Sequence, residues 1–348
     1  MPTAPTAPTL TQRPNPFFVG DILQGSSGRS YSIEEVLADR RGPLLCVYRA
    51  SNSILPTGSA QGNKYVIKNI IKDGFEYQQN LQKSLSGLPN LRAMVDTIPD
   101  GQLFVYPFLR GDLLRFADKP LSDDLRKSIL KSALVGLLEL HDRNIFHSDI
   151  KPNNILLDYE ETANQEYKVH RVQISDLEDA VHLKPGKALA GCPSGNQFWR
   201  SPEAWARAKQ NTPSDVYSFA IVAIYVMLRN MVFWPGDEAA TSTSGEAWRP
   251  IIYNHISYFG DEDGFQGLLT HIGEKNEFFE RLIAVAPEVK PRKPFSLWQN
   301  LDTGFRDLVV KMTNLDPTRR ITAREALEHP WFNQGGGGGL EKLLRLSF

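Results

Sequence analysis

Residues 145–157 read Ile145-Phe146-His147-Ser148-Asp149-Ile150-Lys151-Pro152-Asn153-Asn154-Ile155-Leu156-Leu157. A short polar loop holding Asp149, Lys151 and Asn154 is enclosed by apolar residues, and Ile155-Leu156-Leu157 suits a buried strand. Upstream, Ser122 has the character of an N-cap, with Asp123 and Asp124 in the first turn, where the helix dipole favours acids. Leu125, Ile129, Ala133, Leu134, Leu137, Leu138 and His141 then mark one apolar face of a long helix. Standing alone, Asp-Lys-Pro-Asn could be a surface turn. Its place between an amphipathic helix and an apolar strand argues for a built loop.

Before that helix the pattern is different. Leu44-Leu45-Cys46-Val47-Tyr48, Tyr65-Val66-Ile67-Lys68-Asn69-Ile70-Ile71 and Leu103-Phe104-Val105-Tyr106 are strand-like runs, with one helical candidate from Phe75 to Leu85. From Leu121 onward helices dominate. The sequence therefore predicts an α+β chain, with a small β-rich part followed by a larger helical one.

The loop resembles the protein-kinase catalytic loop, H-R-D-x-x-x-x-N, with Asp149 and Asn154 at the family spacing. The resemblance implies the two-lobed kinase fold over residues 31–332, an N-lobe of about 31–107 and a C-lobe of about 108–332. It also implies chemistry. A carboxylate at Asp149 would orient the attacking hydroxyl and accept its proton, while the amide oxygen of Asn154 would bind Mg²⁺ without adding charge. Lys151 resembles the lysine of serine/threonine-specific members, where it steadies the γ-phosphate of ATP. Val172-Gln173-Ile174-Ser175-Asp176-Leu177-Glu178 stands where the family has D-F-G, which implies Asp176 as the second Mg²⁺ ligand. Glu178 replaces the glycine, removing backbone freedom and adding a negative charge.

The nucleotide side is less regular. Tyr65-Val66-Ile67-Lys68 matches V-A-I-K, with Lys68 as the implied α/β-phosphate contact and Glu76 as its implied ion-pair partner; Gln78 or Gln79 is an alternative occupant of that position. The glycine-rich loop G-x-G-x-x-G-x-V ends at Val47, so its glycines fall on Arg40, Gly42 and Leu45, and only Gly42 is kept. Tyr106 is the implied gatekeeper, Phe108 an adenine-contacting hinge residue and Asp112 a ribose ligand.

Further motifs occur in family order. Phe198-Trp199-Arg200-Ser201-Pro202-Glu203 resembles the A-P-E end of the activation segment, and Ser214-Asp215-Val216-Tyr217-Ser218-Phe219-Ala220 resembles D-V-x-S-F-G, whose aspartate braces the catalytic loop. Arg320 in Leu315-Asp316-Pro317-Thr318-Arg319-Arg320 is the implied partner of Glu203, and His329-Pro330-Trp331-Phe332 closes the helical lobe. Ser148 replaces the arginine that receives an activation-segment phosphate in many kinases, so loop phosphorylation, with only Ser194 and Ser201 available, is expected to matter little. Asn196 stands where many members have a threonine that bonds the catalytic aspartate.

The 39 basic and 40 acidic residues leave a net charge of −1, which offers no global field for nucleic acid or membrane. Two cysteines make no disulfide framework, and the longest apolar stretch, Phe219 to Leu228, is a core helix and not a membrane span. A cytoplasmic or nuclear location is expected. Residues 1–30 read as a disordered Pro/Thr-rich leader, and 333–348 as a glycine linker, Gly335–Gly339, with a short tail. Residues 232–294 match no motif, which leaves ordinary helical structure or a docking insert. The expected activity is ATP- and Mg²⁺-dependent phosphorylation of a protein substrate; a pseudokinase scaffold and a small-molecule phosphotransferase are the alternatives.

Overall fold

The computed structural model describes residues 16–40, 45–52, 62–71, 74–164, 166–234, 248–290 and 292–333. They form two compact units, one from residues up to 87 together with 92–108, the other from 88–91 together with 109 onward.

The first unit is an antiparallel sheet of six strands: β1 (Ile22–Gln24), β2 (Ser30–Ala38), β3 (Val47–Asn52), β4 (Lys64–Asn69), β5 (Asp96–Ile98) and β6 (Leu103–Pro107), in the order β1-β2-β3-β4-β6-β5. Alternation along each strand separates two faces. Tyr31, Ile33, Cys46, Tyr48, Ala50, Tyr65, Ile67, Leu103 and Val105 form one buried cluster, against which Phe17 packs edge-on to Tyr48. Fully burying a side chain such as Ile67 or Ile33 contributes roughly 1.5–3 kcal/mol, so this face anchors the sheet. The opposite face carries Val47, Lys68 and Phe104 in one register row and Arg49, Val66 and Tyr106 in the next. Helix α1 (Phe75–Ser84) follows β4, and its Phe75 packs with Ile70, Met94, Phe104 and Tyr106.

The sheet starts before residue 31, which corrects the expected leader. Residues 16–30 are folded: β1 pairs with β2, and the turn between them is fastened to β5. Ser27 N–H donates to Asp96 Oδ1 at 3.0 Å, its hydroxyl bonds Oδ2, and the Tyr31 hydroxyl donates to Oδ2 at 2.8 Å. Burial and then the bond to Asp96 push the Tyr31 phenol up to about 12. The expected Pro/Thr-rich leader is too long, because the hydroxyls and amides of this stretch satisfy a buried carboxylate. Residues 1–15 and 334–348, which hold the Pro/Thr repeat and the glycine run, lie outside the described residues.

The second unit is mainly helical. After β7 (Gly111–Asp112) and the short α2 (Leu113–Phe116) comes α3 (Asp123–His141), capped by Ser122 Oγ accepting from Leu125 N–H at 3.3 Å. Its buried face is rotated slightly from the expected one: Ile129, Leu130, Ala133, Leu134, Leu137 and Leu140 are buried, whereas Leu125, Leu138 and His141 are half-buried. Arg126 is buried on that face as well, its guanidinium donating to the carbonyls of Ala117, Lys119 and Val226. Strands β8 (Ile145–Phe146), β9 (Ile155–Glu161), β10 (Tyr167–Ile174) and β11 (Val181–His182) follow, with β9 and β10 pairing as an antiparallel hairpin. Helix α4 (Pro202–Trp205) leads to α5 (Thr212–Leu228), which is buried continuously from Ser214 to Val226. Residues 248–285 supply three helices, beginning with α6 (Trp248–Phe259). His255 of α6 stacks on Phe233 at 3.9 Å and bonds Tyr217 of α5, so this stretch belongs to the helical core. Among the described residues no helix is long and apolar enough to cross a membrane, and both thiols are free, Cys46 buried and Cys192 half-buried.

Candidate active site

The polar loop between β8 and β9 is held from beneath by one carboxylate. Asp215 of α5 accepts from His147 N–H (2.9 Å) and from Ser148 N–H (3.0 Å), and His141 Nε2 lies 3.1 Å from it. Ser148 has φ +70°, a left-handed conformation that turns two successive amides towards Asp215. The brace expected of Asp215 is therefore in place.

His147, fully buried, links the two acids of the site through their backbones. Its Nδ1 accepts from Asp149 N–H at 3.2 Å, so the proton belongs on Nε2, which faces the Ser175 carbonyl at 2.9 Å. Ser175 precedes Asp176 and sends both its N–H (2.8 Å) and its hydroxyl (3.1 Å) to the Asn154 carbonyl. The end of β10 is thus fastened to the catalytic loop, and Asp176 leaves it with φ +63°. An aspartate there costs about 1 kcal/mol or more, the kind of strain concentrated at working sites.

Asp149 is fixed at both carboxylate oxygens. Lys151 Nζ lies 2.5 Å from Oδ2, Asn154 Nδ2 donates to Oδ2 at 3.2 Å, and Asn196 N–H donates to Oδ1 at 3.0 Å. Asn154 Nδ2 also bonds the Asp149 carbonyl at 2.9 Å, so its amide nitrogen is committed to the loop and its oxygen is the end left for a cation. An amide oxygen and a carboxylate are hard donors suited to Mg²⁺, so the residues present fit that ion. Asn196 does not bond Asp149 through its side chain, as the threonine comparison implied. Its Oδ1 accepts from Phe198 N–H at 3.0 Å, and the backbone makes the contact. Beside Asp149 opens a cavity of about 440 Å³, lined by Ser148, Lys151, Asp179, Leu189, Cys192 and Ser194 among others. Asp179 was not foreseen: its carboxyl is held above the usual range by partial burial first, then by Asp176 and Asp149, and its carbonyl takes the Ser148 hydroxyl at 3.1 Å.

In the first unit, Val47, Lys68 and Tyr106 share one face of the sheet, with Val47 directly opposite Lys68 and Lys68 Nζ 6.0 Å from the Tyr106 ring centroid. The Tyr106 hydroxyl accepts from Gln82 Nε2 at 3.1 Å, and the Arg92 guanidinium lies 5.1 Å from its ring. Glu76 is exposed in the first turn of α1, whereas Gln78 and Gln82 are buried on the inner side of that helix. Of the two alternative occupants, Gln78 is buried and Gln79 half-buried. Phe108 is half-buried and its N–H donates to the Lys64 carbonyl at 3.0 Å. Asp112, in the second unit, caps α2 by accepting from Arg115 N–H at 3.1 Å, so one of its oxygens is already engaged. Gly42 lies outside the described residues; Leu45 N–H donates to the Arg40 carbonyl at 2.9 Å.

Residues 57–332 match the protein kinase domain family. The phosphorylase b kinase gamma catalytic chain, liver/testis isoform, of Rattus norvegicus is 23% identical over 278 residues, covering 77% of this chain and 56% of that one. Mitogen-activated protein kinase 6 of Oryza sativa subsp. japonica is 28% identical over 217 residues, 62% of this chain and 51% of the relative. The chain thus spans about half the length of these curated relatives. Among solved structures, the yeast RNA Pol II CTD kinase complex contains a chain that aligns with a TM-score of 0.63 at 17% identity, covering 95% of this chain and 98% of that one, a likeness of fold.

Proposed function

The chain belongs to the protein kinase family, and on that basis we propose that it transfers the γ-phosphate of ATP to serine or threonine hydroxyls of a protein substrate. The observation that supports this most is the state of Asp149: both oxygens are held by Lys151, Asn154 and Asn196, in a loop braced by Asp215. A carboxylate fixed in this way orients an acceptor hydroxyl and takes its proton as the phosphorus–oxygen bond forms. Lys151 places a positive charge where negative charge gathers on the transferring group. Asn154 and Asp176 are the residues that would hold Mg²⁺, which when bound neutralises the phosphate oxygens. In the first unit, Lys68 would meet the α- and β-phosphates, and Val47, Tyr106 and Phe108 would border the adenine; Asp112 would reach the ribose with its remaining oxygen. A cytoplasmic or nuclear site of action accords with two free thiols.

A second reading, a pseudokinase that binds nucleotide or acts as a scaffold without transfer, draws on Glu178 in the glycine position and on the exposed Glu76. Transfer of labelled phosphate from Mg²⁺–ATP to generic protein substrates, wild type against Asp149→Asn, separates the two. Transfer by the wild type, with loss of ~100-fold or more in the variant, is expected from the removal of a general base. Thermal stabilisation by Mg²⁺–ATP with no transfer by the wild type would establish the second reading.

A further inference from the structure

The segment from Asp176 to Glu203 delivers Asn196 to Asp149, so whatever holds that segment sets the geometry of the acceptor. No arginine is at position 148 to grip a phosphate, and the Ser148 hydroxyl is engaged with the Asp179 carbonyl. Ser201 is fully buried, capping α4 and lying 2.7 Å from Ser214 Oγ, which leaves Ser194 as the one half-exposed serine of the two.

The segment is instead fastened to the loop between α4 and α5. Leu189 and Gln210 exchange both backbone hydrogen bonds, at 2.9 and 2.7 Å, and Gly191 N–H donates to the Arg207 carbonyl at 2.9 Å. The Gln210 side chain, wholly buried, reaches further along the segment and donates from Nε2 to the Cys192 carbonyl at 2.8 Å. Gly195, where a Cβ would stand 2.8 Å from the Ser148 carbonyl, is followed directly by Asn196 and its bond to Asp149.

We propose that Gln210 is the positioning residue for phosphoryl transfer in this chain: by gripping the Cys192 carbonyl it holds residues 189–196 as a standing platform for the protein substrate, so that no phosphate on the segment is needed. This rests on the kinase reading above. The backbone bonds to Leu189 do not depend on the side chain, so the bonds of Nε2, to the Cys192 carbonyl and at 3.4 Å to the Ala208 carbonyl, can be removed without them. Gln210 Oε1 is buried and has no hydrogen-bond partner among the described residues, so only the donor end of the amide is engaged. Methionine has nearly the same length and shape but neither donor nor acceptor. Gln210→Met therefore deletes the link to Cys192 while relieving an unsatisfied acceptor, and stability and activity should part company.

The test uses the full chain, treated with phosphatase, as wild type and Gln210→Met. Wild type is expected to keep its transfer rate after phosphatase. The variant should melt at the same or a higher temperature, with KM for a serine-containing protein substrate raised roughly fivefold, KM for ATP unchanged, and faster amide hydrogen exchange confined to 189–196. Unchanged substrate KM and unchanged exchange in the variant would overturn the proposal, as would loss of wild-type transfer on dephosphorylation. If wild type transfers nothing to any substrate, the kinase reading fails, whereas faster exchange at 189–196 in the variant would still uphold Gln210 as the fastening and unchanged exchange would reject it.

Discussion

Arg320 and Glu203, 117 residues apart, meet as a bidentate pair at 2.7 and 3.1 Å with both side chains closed to solvent. Two further donors of Arg320 are used as well, on the carbonyls of Asn314 (3.0 Å) and Pro213 (2.8 Å), and its guanidinium lies 4.8 Å from the Tyr217 ring. Removing one partner leaves the other charge buried alone. Arg320→Met should destabilise the protein by about 3–5 kcal/mol, and the double variant with Glu203→Met by less than the sum of the single changes. Urea unfolding at pH 7 measures both, and strict additivity would contradict the coupling.

His255 should make the helical unit sensitive to acid. Burial, and then the charge of Arg320, holds its imidazole down at about 3, against 6.5 in an open chain. The folded state favours the neutral ring, so its contribution is present above pH 6.5 and is lost as pH falls towards 3, at up to about 1.4 kcal/mol per pH unit. Replacing it by phenylalanine should flatten that limb of the stability curve. The check is the urea midpoint at pH 7 and pH 5, with the gap between wild type and variant narrowing at the lower pH.

Asp215 accepts two adjacent amide hydrogens, one at each carboxylate oxygen. Asparagine has a single acceptor oxygen, so Asp215→Asn would turn a donor towards one of those amides and leave it unsatisfied. Loss of roughly 1–3 kcal/mol of stability is expected, together with a fall in kcat of about tenfold or more, because the loop carrying Asp149 is no longer held. Steady-state kinetics with circular-dichroism melts would show it; a variant with wild-type kcat would mean the brace is unnecessary.

Gly195 combines φ +75° with close approach: a Cβ there would stand 2.8 Å from the Ser148 carbonyl and 3.5 Å from Asp149 Oδ1. Alanine is disfavoured by both conformation and space, and relief would displace the neighbouring Asn196 amide from Asp149. Gly195→Ala should lower kcat/KM for protein substrate by about tenfold or more and lower the melting temperature by about 2–4 °C. An undiminished kcat/KM would show that the approach of the segment to Ser148 is not required.

Much of this was readable from sequence because the chemistry is local. Asp149, Lys151 and Asn154 lie within six residues, and Asp215 and Arg320 sit in short runs that keep their order along the chain. The parts that were not readable depend on distant partners. Gln210 is one polar residue in an unremarkable loop until the chain brings it to Cys192, and Asp96 gains meaning only from Ser27 and Tyr31, more than sixty residues before it. Helix α1 misled for a third reason. Glu76 offered the expected charge, yet the helix buries Gln78, Leu81 and Gln82 and leaves Glu76 exposed.

The strand Ile22–Gln24 also works as a cover. It pairs with Ser30–Ser32 at the start of β2, whose hydrogen-bonding groups would otherwise line the rim of the sheet there. A shortened chain beginning at Tyr31, the start that composition alone recommends, would strip that rim and deprive Asp96 of Ser27. Such a fragment should self-associate through bare edges, visible as a concentration-dependent rise in light scattering that the chain begun at residue 16 does not show.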